Sequence, residues 1–214
     1  MIYLISGLAA NQKAFAKISL QGRPFTFLPW IEPLRNESFE SYLDRFSKPI
    51  NSNEEIILIG TSFGGIVSQE LAKRFNVKKI ILISSIVSEK EFSPLIHLFR
   101  ITRFYKVFPI KLLLWLRPIL YHYLGGTTPE EKRRLIEIID VKDTYLIRWS
   151  INTAINWKQP KTPPENLYRI HGTKDLIFPV KYIGKAHLIK NGTHLMIIKN
   201  ALAVNHWLND VLNK

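Results

Sequence analysis

Ser62 stands inside Gly60-Thr61-Ser62-Phe63-Gly64, where an apolar run over 56–60 gives way to residues with helical spacing. A serine hydroxyl is a poor nucleophile until a base takes its proton, and that base needs a third group to orient it. Two later stretches supply both partners. Asp175 closes "YRIHGTKD" and His194 closes "AHLIKNGTH", each just past an apolar run. Serine, carboxylate and imidazole in this order can attack a carbonyl, hold the acyl group on serine and release it to water.

Glycines two residues either side of the serine are what a tight strand-to-helix turn requires, because larger side chains would collide there. The hydroxyl then projects above the end of the strand, and the free N–H groups of the following helix point toward it. The motif alone is weak, arising by chance in about one protein of this length in fifteen. The order of the later residues strengthens it. Glu89, after the fourth apolar run, competes with Asp175 for the acid role. Among the other histidines, His171 at a strand end reads as structural, His187 and His206 as packing or surface residues, and His97 and His122 as substrate contacts at most. Without cysteine, and without clustered His, Asp and Glu at ligand spacing, no metal or other cofactor is expected.

These residues need a scaffold that brings three distant loops to one edge. Six short apolar runs, 2–6, 25–30, 56–60, 79–84, 167–171 and 186–190, read as strands. Most are continuous rather than alternating, as in a parallel sheet covered on both faces. Helical patterns separate them. Phe39, Tyr42, Leu43 and Phe46 make one stripe with Ser38 as N-cap, and Val204, Trp207, Leu208, Val211 and Leu212 make another. Alternation of this kind implies right-handed crossovers and a doubly wound α/β sheet, whose ligands bind at the C-terminal edge of the strands. Residues 86–166 break the rhythm. "TTPEEKRRLIEII" carries a helix start signal, and "DTYLIRWSINTAINW" reads as a further helix after Asp143. The stretch is too long for a loop and is expected to be a helical cap, with 1–85 and 167–214 forming the core.

On these residues the chain resembles the α/β-hydrolase fold superfamily, in particular small esterase- and lipase-like serine hydrolases. The likeness covers both flanks. It implies a parallel sheet in the order 2-1-3-4-5-6, lacking the two N-terminal strands of larger members. It also implies Ser62 as nucleophile, His194 as general base and then acid, and Asp175 as the orienting carboxylate. The oxyanion hole of the family uses two backbone N–H groups, which map here to Phe63 and Leu8. Ser6 replaces a customary histidine before Leu8, and Thr193 stands where many relatives have glycine.

The 214 residues suit one sizeable domain, and 46% hydrophobic against 22% charged residues argues against extensive disorder. The net charge of +13 could attract nucleic acid, anionic membranes or anionic substrates. No nucleic-acid-binding module accompanies it, so no nucleic-acid partner is expected. Between 92 and 129 stand Arg100, Arg103, Lys106, Lys111 and Arg117 with no acidic residue, interleaved with Leu98, Phe99, Phe104, Tyr105, Phe108, residues 112–114 and Trp115. Two readings stay open. The segment is a plain lid over an apolar acyl pocket, or it also presents cations to an anionic membrane surface. A soluble cytoplasmic protein, at most peripheral to a membrane, is expected from the lack of cysteine and of an uninterrupted apolar span. The expected activity is hydrolysis of small-molecule carboxylic esters or thioesters. C–C hydrolysis, acyl transfer and non-catalytic ligand binding on the same fold are the alternatives.

Overall fold

The structure, a computed structural model, describes residues 1–107, 115–139, 144–159 and 164–214. Phe108, Lys111, residues 112–114 and Asp143 lie outside them. The six apolar runs form β1 (Ile2–Ile5), β2 (Phe25–Phe27), β3 (Ile56–Thr61), β4 (Val77–Ile83), β5 (Leu167–Gly172) and β6 (His187–Ile189). All pair in parallel, in the order β2-β1-β3-β4-β5-β6. Edge strand β2 ends three residues before the apolar run does. Leu28 N–H still donates to the Leu4 carbonyl at 3.0 Å, after which the chain turns and Trp30 Nε1 donates to the Gly7 carbonyl at 2.9 Å.

Continuous apolar strands are explained by two cores, one on each face of the sheet. Tyr3, Ile5, Leu58, Ile80 and Leu82 point to one face. There they meet Tyr42, Leu43 and Phe46 of α1 (Phe39–Phe46) and Ile66, Val67 and Leu71 of α2 (Phe63–Leu71). Their strand neighbours Ile2, Leu4, Ile59, Ile81 and Ile83 point to the other face. Helix α1 starts where expected, the Ser38 hydroxyl accepting the Ser41 N–H at 3.1 Å.

Among the described residues, the segment between β4 and β5 holds α3 (Pro94–Thr102), α4 (Phe104–Val107), α5 (Arg117–Leu124), α6 (Pro129–Ile138) and α7 (Thr144–Asn156). A capping box of Thr128 and Glu131 opens α6. The segment is fastened to the sheet at both sides. On one side Asn11 N–H donates to the Ile138 carbonyl at 2.9 Å, and Glu131 pairs with Lys199 at 2.8 Å. On the other, the Trp149 ring lies 4.3 Å from that of Tyr42, and its Nε1 donates to the Glu37 carbonyl at 2.9 Å. Trp149 and Trp157 belong to the same apolar cluster as the strands. The packing layer therefore does not follow the points at which the chain leaves and rejoins the sheet. The chain closes with α8 (Met196–Lys199) and α9 (Ala201–Asn213), whose Val204, Leu208, Val211 and Leu212 are buried in the second core. No described helix is long and apolar enough to cross a membrane.

Candidate active site

Ser62 sits between β3 and α2 at φ 50°, ψ −120°, a conformation that costs an L-residue about 1–3 kcal/mol. The turn is braced on all sides. Ser62 N–H donates to the Ile83 carbonyl at 3.1 Å, while its own carbonyl accepts from Gly65 N–H at 2.9 Å and the Ser85 hydroxyl at 2.7 Å. The flanking glycines are needed for different reasons. A Cβ on Gly60 would overlap the Gly64 carbonyl and the Ser68 hydroxyl, whereas one on Gly64 would overlap the Ile5 and Ser6 carbonyls of the neighbouring strand. Only the first collision is internal to the motif.

His194 and Asp175 arrive on two loops laced to each other beyond β5 and β6. Thr173 N–H donates to the Ile189 carbonyl at 3.0 Å, Lys174 N–H to the Gly192 carbonyl at 2.8 Å, and Asn191 N–H to the Thr173 hydroxyl at 2.8 Å. A Cβ on Gly172 would overlap the Gly192 carbonyl, so the loops close only around glycine. The result is a continuous chain of contacts. His194 Nε2 lies 2.9 Å from Ser62 Oγ, and His194 Nδ1 lies 2.8 Å from Asp175 Oδ2.

Asp175 is buried, and its other oxygen accepts the Ile177 and Phe178 N–H groups, each at 2.9 Å. Burial pushes its pKa up. The neighbouring His194 and His171 rings, the first hydrogen-bonded to it, and the Phe178 N–H outweigh that and hold the carboxyl below its ordinary range. An ionised Asp175 can only accept, so Nδ1 carries the proton and Nε2 is left with a lone pair toward the serine hydroxyl. His171 lies beneath, fully buried, its Nε2 2.8 Å from the Phe178 carbonyl. Burial, the largest influence on it, keeps it neutral by lowering its pKa. It shapes the loop that presents Asp175 and does not reach the serine.

The remaining candidates separate cleanly. Glu89 is away from this cluster, accepting the Gln159 N–H at 3.2 Å. Glu91, two residues on, is buried against Arg169 with bonds of 2.6 and 2.8 Å, and accepts Gly184 N–H at 2.8 Å. Nothing local marks it, because its partner lies on β5. His187 stacks on Trp207, while His97 packs edge-on to Phe92. Phe63 and Leu8 line the same cavity as Ser62, and no described group accepts the N–H of either. Ser6 has a role that its type did not reveal: its buried hydroxyl donates to the Ala10 carbonyl and folds the loop that carries Leu8.

Above Ser62 and His194 opens a cavity of about 370 Å³. Phe63, Ile66 and Phe178 line it from the sheet side, and Leu120, Ile138 and Ile151 from the helices between β4 and β5. No Asp, Glu, Lys or Arg contributes to it among the described residues. Neither His97 nor His122 is part of its lining.

No protein-family model and no curated protein matches the sequence. Solved structures do match over almost the whole chain. A lipase-esterase related protein from Clostridium acetobutylicum is 17% identical with a TM-score of 0.66, over 98% of this chain and 93% of that one. A thermophilic esterase from Thermogutta terrifontis is 16% identical with a TM-score of 0.69, over 98% and 89% of the two chains. A meta-cleavage product hydrolase from Pseudomonas fluorescens is 15% identical with a TM-score of 0.65, over 99% and 90%. Together with the parallel sheet order and the serine turn between β3 and α2, these likenesses show that the chain has the α/β-hydrolase fold.

Proposed function

We propose that this protein is a serine hydrolase acting on carboxylic esters or thioesters with an uncharged, apolar acyl group. The observation that carries the reading is the unbroken Ser62–His194–Asp175 chain, at 2.9 and 2.8 Å, opening onto a cavity lined by apolar side chains. His194 Nε2 takes the Ser62 proton as Oγ attacks the acyl carbon, and the carbonyl π pair moves onto oxygen. The N–H groups of Phe63 and Leu8 receive that oxyanion; one such donor is worth about 3 kcal/mol in the transition state. As the tetrahedral intermediate collapses, His194 returns the proton to the leaving alkoxide or thiolate, and the acyl group stays on Oγ. Water then repeats the sequence, with His194 as base, and the acid departs. Asp175 stays ionised throughout, holding the imidazole in one tautomer and stabilising its charged form.

One feature supports catalysis over simple ligand binding. Holding Ser62 at positive φ costs stability and gives the fold no evident return. Strain of that kind collects where chemistry needs it. The test is labelling with a fluorophosphonate probe followed by peptide mapping. A single adduct on Ser62, absent in Ser62→Ala and strongly slowed in His194→Ala, is expected. Labelling elsewhere, or equal labelling of the Ser62→Ala protein, sinks the reading.

A further inference from the structure

The helices roofing the cavity are apolar on two sides, and the cavity accounts for only one. In α3, Ile96 lines the cavity. Leu95, Leu98 and Ile101 lie on the opposite side of the helix and are exposed, Ile101 by 79%. In α5, Leu120, Tyr121 and Leu124 line the cavity, whereas Ile119 and Tyr123 are exposed, as is Trp115, by 76%, just before the helix. Scattered exposed hydrophobics are ordinary. Here they lie on the sides of α3 and α5 turned away from the cavity, which marks those sides for contact.

The charge of this stretch of sequence selects its partner. Residues 92–129 hold five basic side chains and no acidic one. Arg103 and Lys106 are exposed at the end of α3 and in α4, and neither joins an ion pair among the described residues. A second copy of this chain would bring the same cations against themselves. We propose that the outward face of α3 and α5 docks on an anionic lipid bilayer, with Leu95, Leu98, Ile101, Trp115 and Ile119 entering the interface and Arg103 and Lys106 resting among anionic headgroups. Docking is a property of the surface alone and holds whether or not Ser62 is catalytic. If the reading of the site is also right, the cavity roof meets the phase from which apolar acyl esters would come.

The test is sedimentation of the full-length protein with vesicles of phosphatidylcholine alone and with phosphatidylserine at about a 7:3 ratio. Partitioning at least about tenfold stronger onto the anionic vesicles is expected, weakening as salt rises from about 0.15 M to about 0.5 M. The triple variant Leu98→Ser/Ile101→Ser/Ile119→Ser should lose about tenfold or more of that binding, and Arg103→Gln/Lys106→Gln should lose the anionic preference. Both should keep the parent melting temperature, with Ile101→Ser alone as the milder variant if the triple does not. Failure to bind either vesicle overturns the proposal. So does binding that the triple variant leaves unchanged, which would place the attraction elsewhere on the +13 surface. A concentration-dependent dimer abolished by the triple variant would also overturn it, in favour of a second copy on this face.

Discussion

Beneath the cavity, loops from β3, β5 and β6 bring Ser62, Asp175 and His194 together with almost no play. Above it, α3, α5, α6 and α7 contribute aliphatic side chains and Tyr121 to its lining, and no charged one. The lower half depends on direction: each bond has one donor, one acceptor and a backbone that admits only glycine at Gly60, Gly64 and Gly172. The upper half depends on area and shape, which many apolar residues can satisfy. Changes below should therefore act on rate and leave selectivity alone. Changes above should do the reverse.

The largest effects belong to the lower half. Ser62→Ala should reduce ester turnover by about 10⁴-fold or more, and adding His194→Ala should cost little further, because members of a triad act as a unit. Additive losses in a steady-state assay would divide the pair into separate mechanisms. Asp175→Asn should lower kcat by up to about 10⁴-fold by releasing the His194 tautomer, while Glu89→Gln changes it less than about twofold. The opposite ranking would move the acid to the loop after β4.

The upper half predicts a smaller and selective effect. Leu120→Trp fills the cavity from α5 without touching the triad. Relative to an acetyl ester, kcat/KM for a longer aliphatic ester should fall by about 10–100-fold. Equal losses on both esters would mean that the acyl chain does not enter this cavity.

Ser62→Gly separates strain from chemistry. It should abolish activity yet raise stability by about 1 kcal/mol over Ser62→Ala in denaturant titration, since glycine accepts φ 50° without strain. The two variants unfolding together would show that the turn stores no strain.

The smallest effect tests the seam between the halves. Burial pushes the Glu131 pKa up, but Lys199 and the Thr127 and Thr128 N–H groups bring it from 4.5 down to about 2. A lowered carboxylate pKa contributes stability that is complete above about 4.5 and lost as pH falls toward about 2. Between about pH 6 and about pH 3, Glu131→Gln should therefore lose less stability than the parent. Identical slopes for the two proteins would remove Glu131 as a fastening of α6 to α8.

Much of the scaffold is legible because the apolar run lengths reflect burial on both sheet faces, and Ser38 and Thr128 announce their helices by local hydrogen bonding. Ser62, Asp175 and His194 are legible because each follows a strand. The rest depends on neighbours distant in the chain. The pairing of Glu91 with Arg169, the Ser6 bond that folds the Leu8 loop, and the Thr173 link between the Asp175 and His194 loops leave no local pattern.

What the sequence by itself determined is the six strands, the helices that carry clear stripes or start signals, and the order of the three candidate groups, since periodicity, turn glycines and caps act over a few residues. The tertiary structure alone decided which carboxylate meets His194, because Glu89 and Asp175 both follow strands and only packing brings Asp175 to 2.8 Å. It also decided the two-sided character of α3 and α5. Apolar residues around most of a short helix read the same whether both sides are buried or one faces water, and only the fold tells which side the cavity takes.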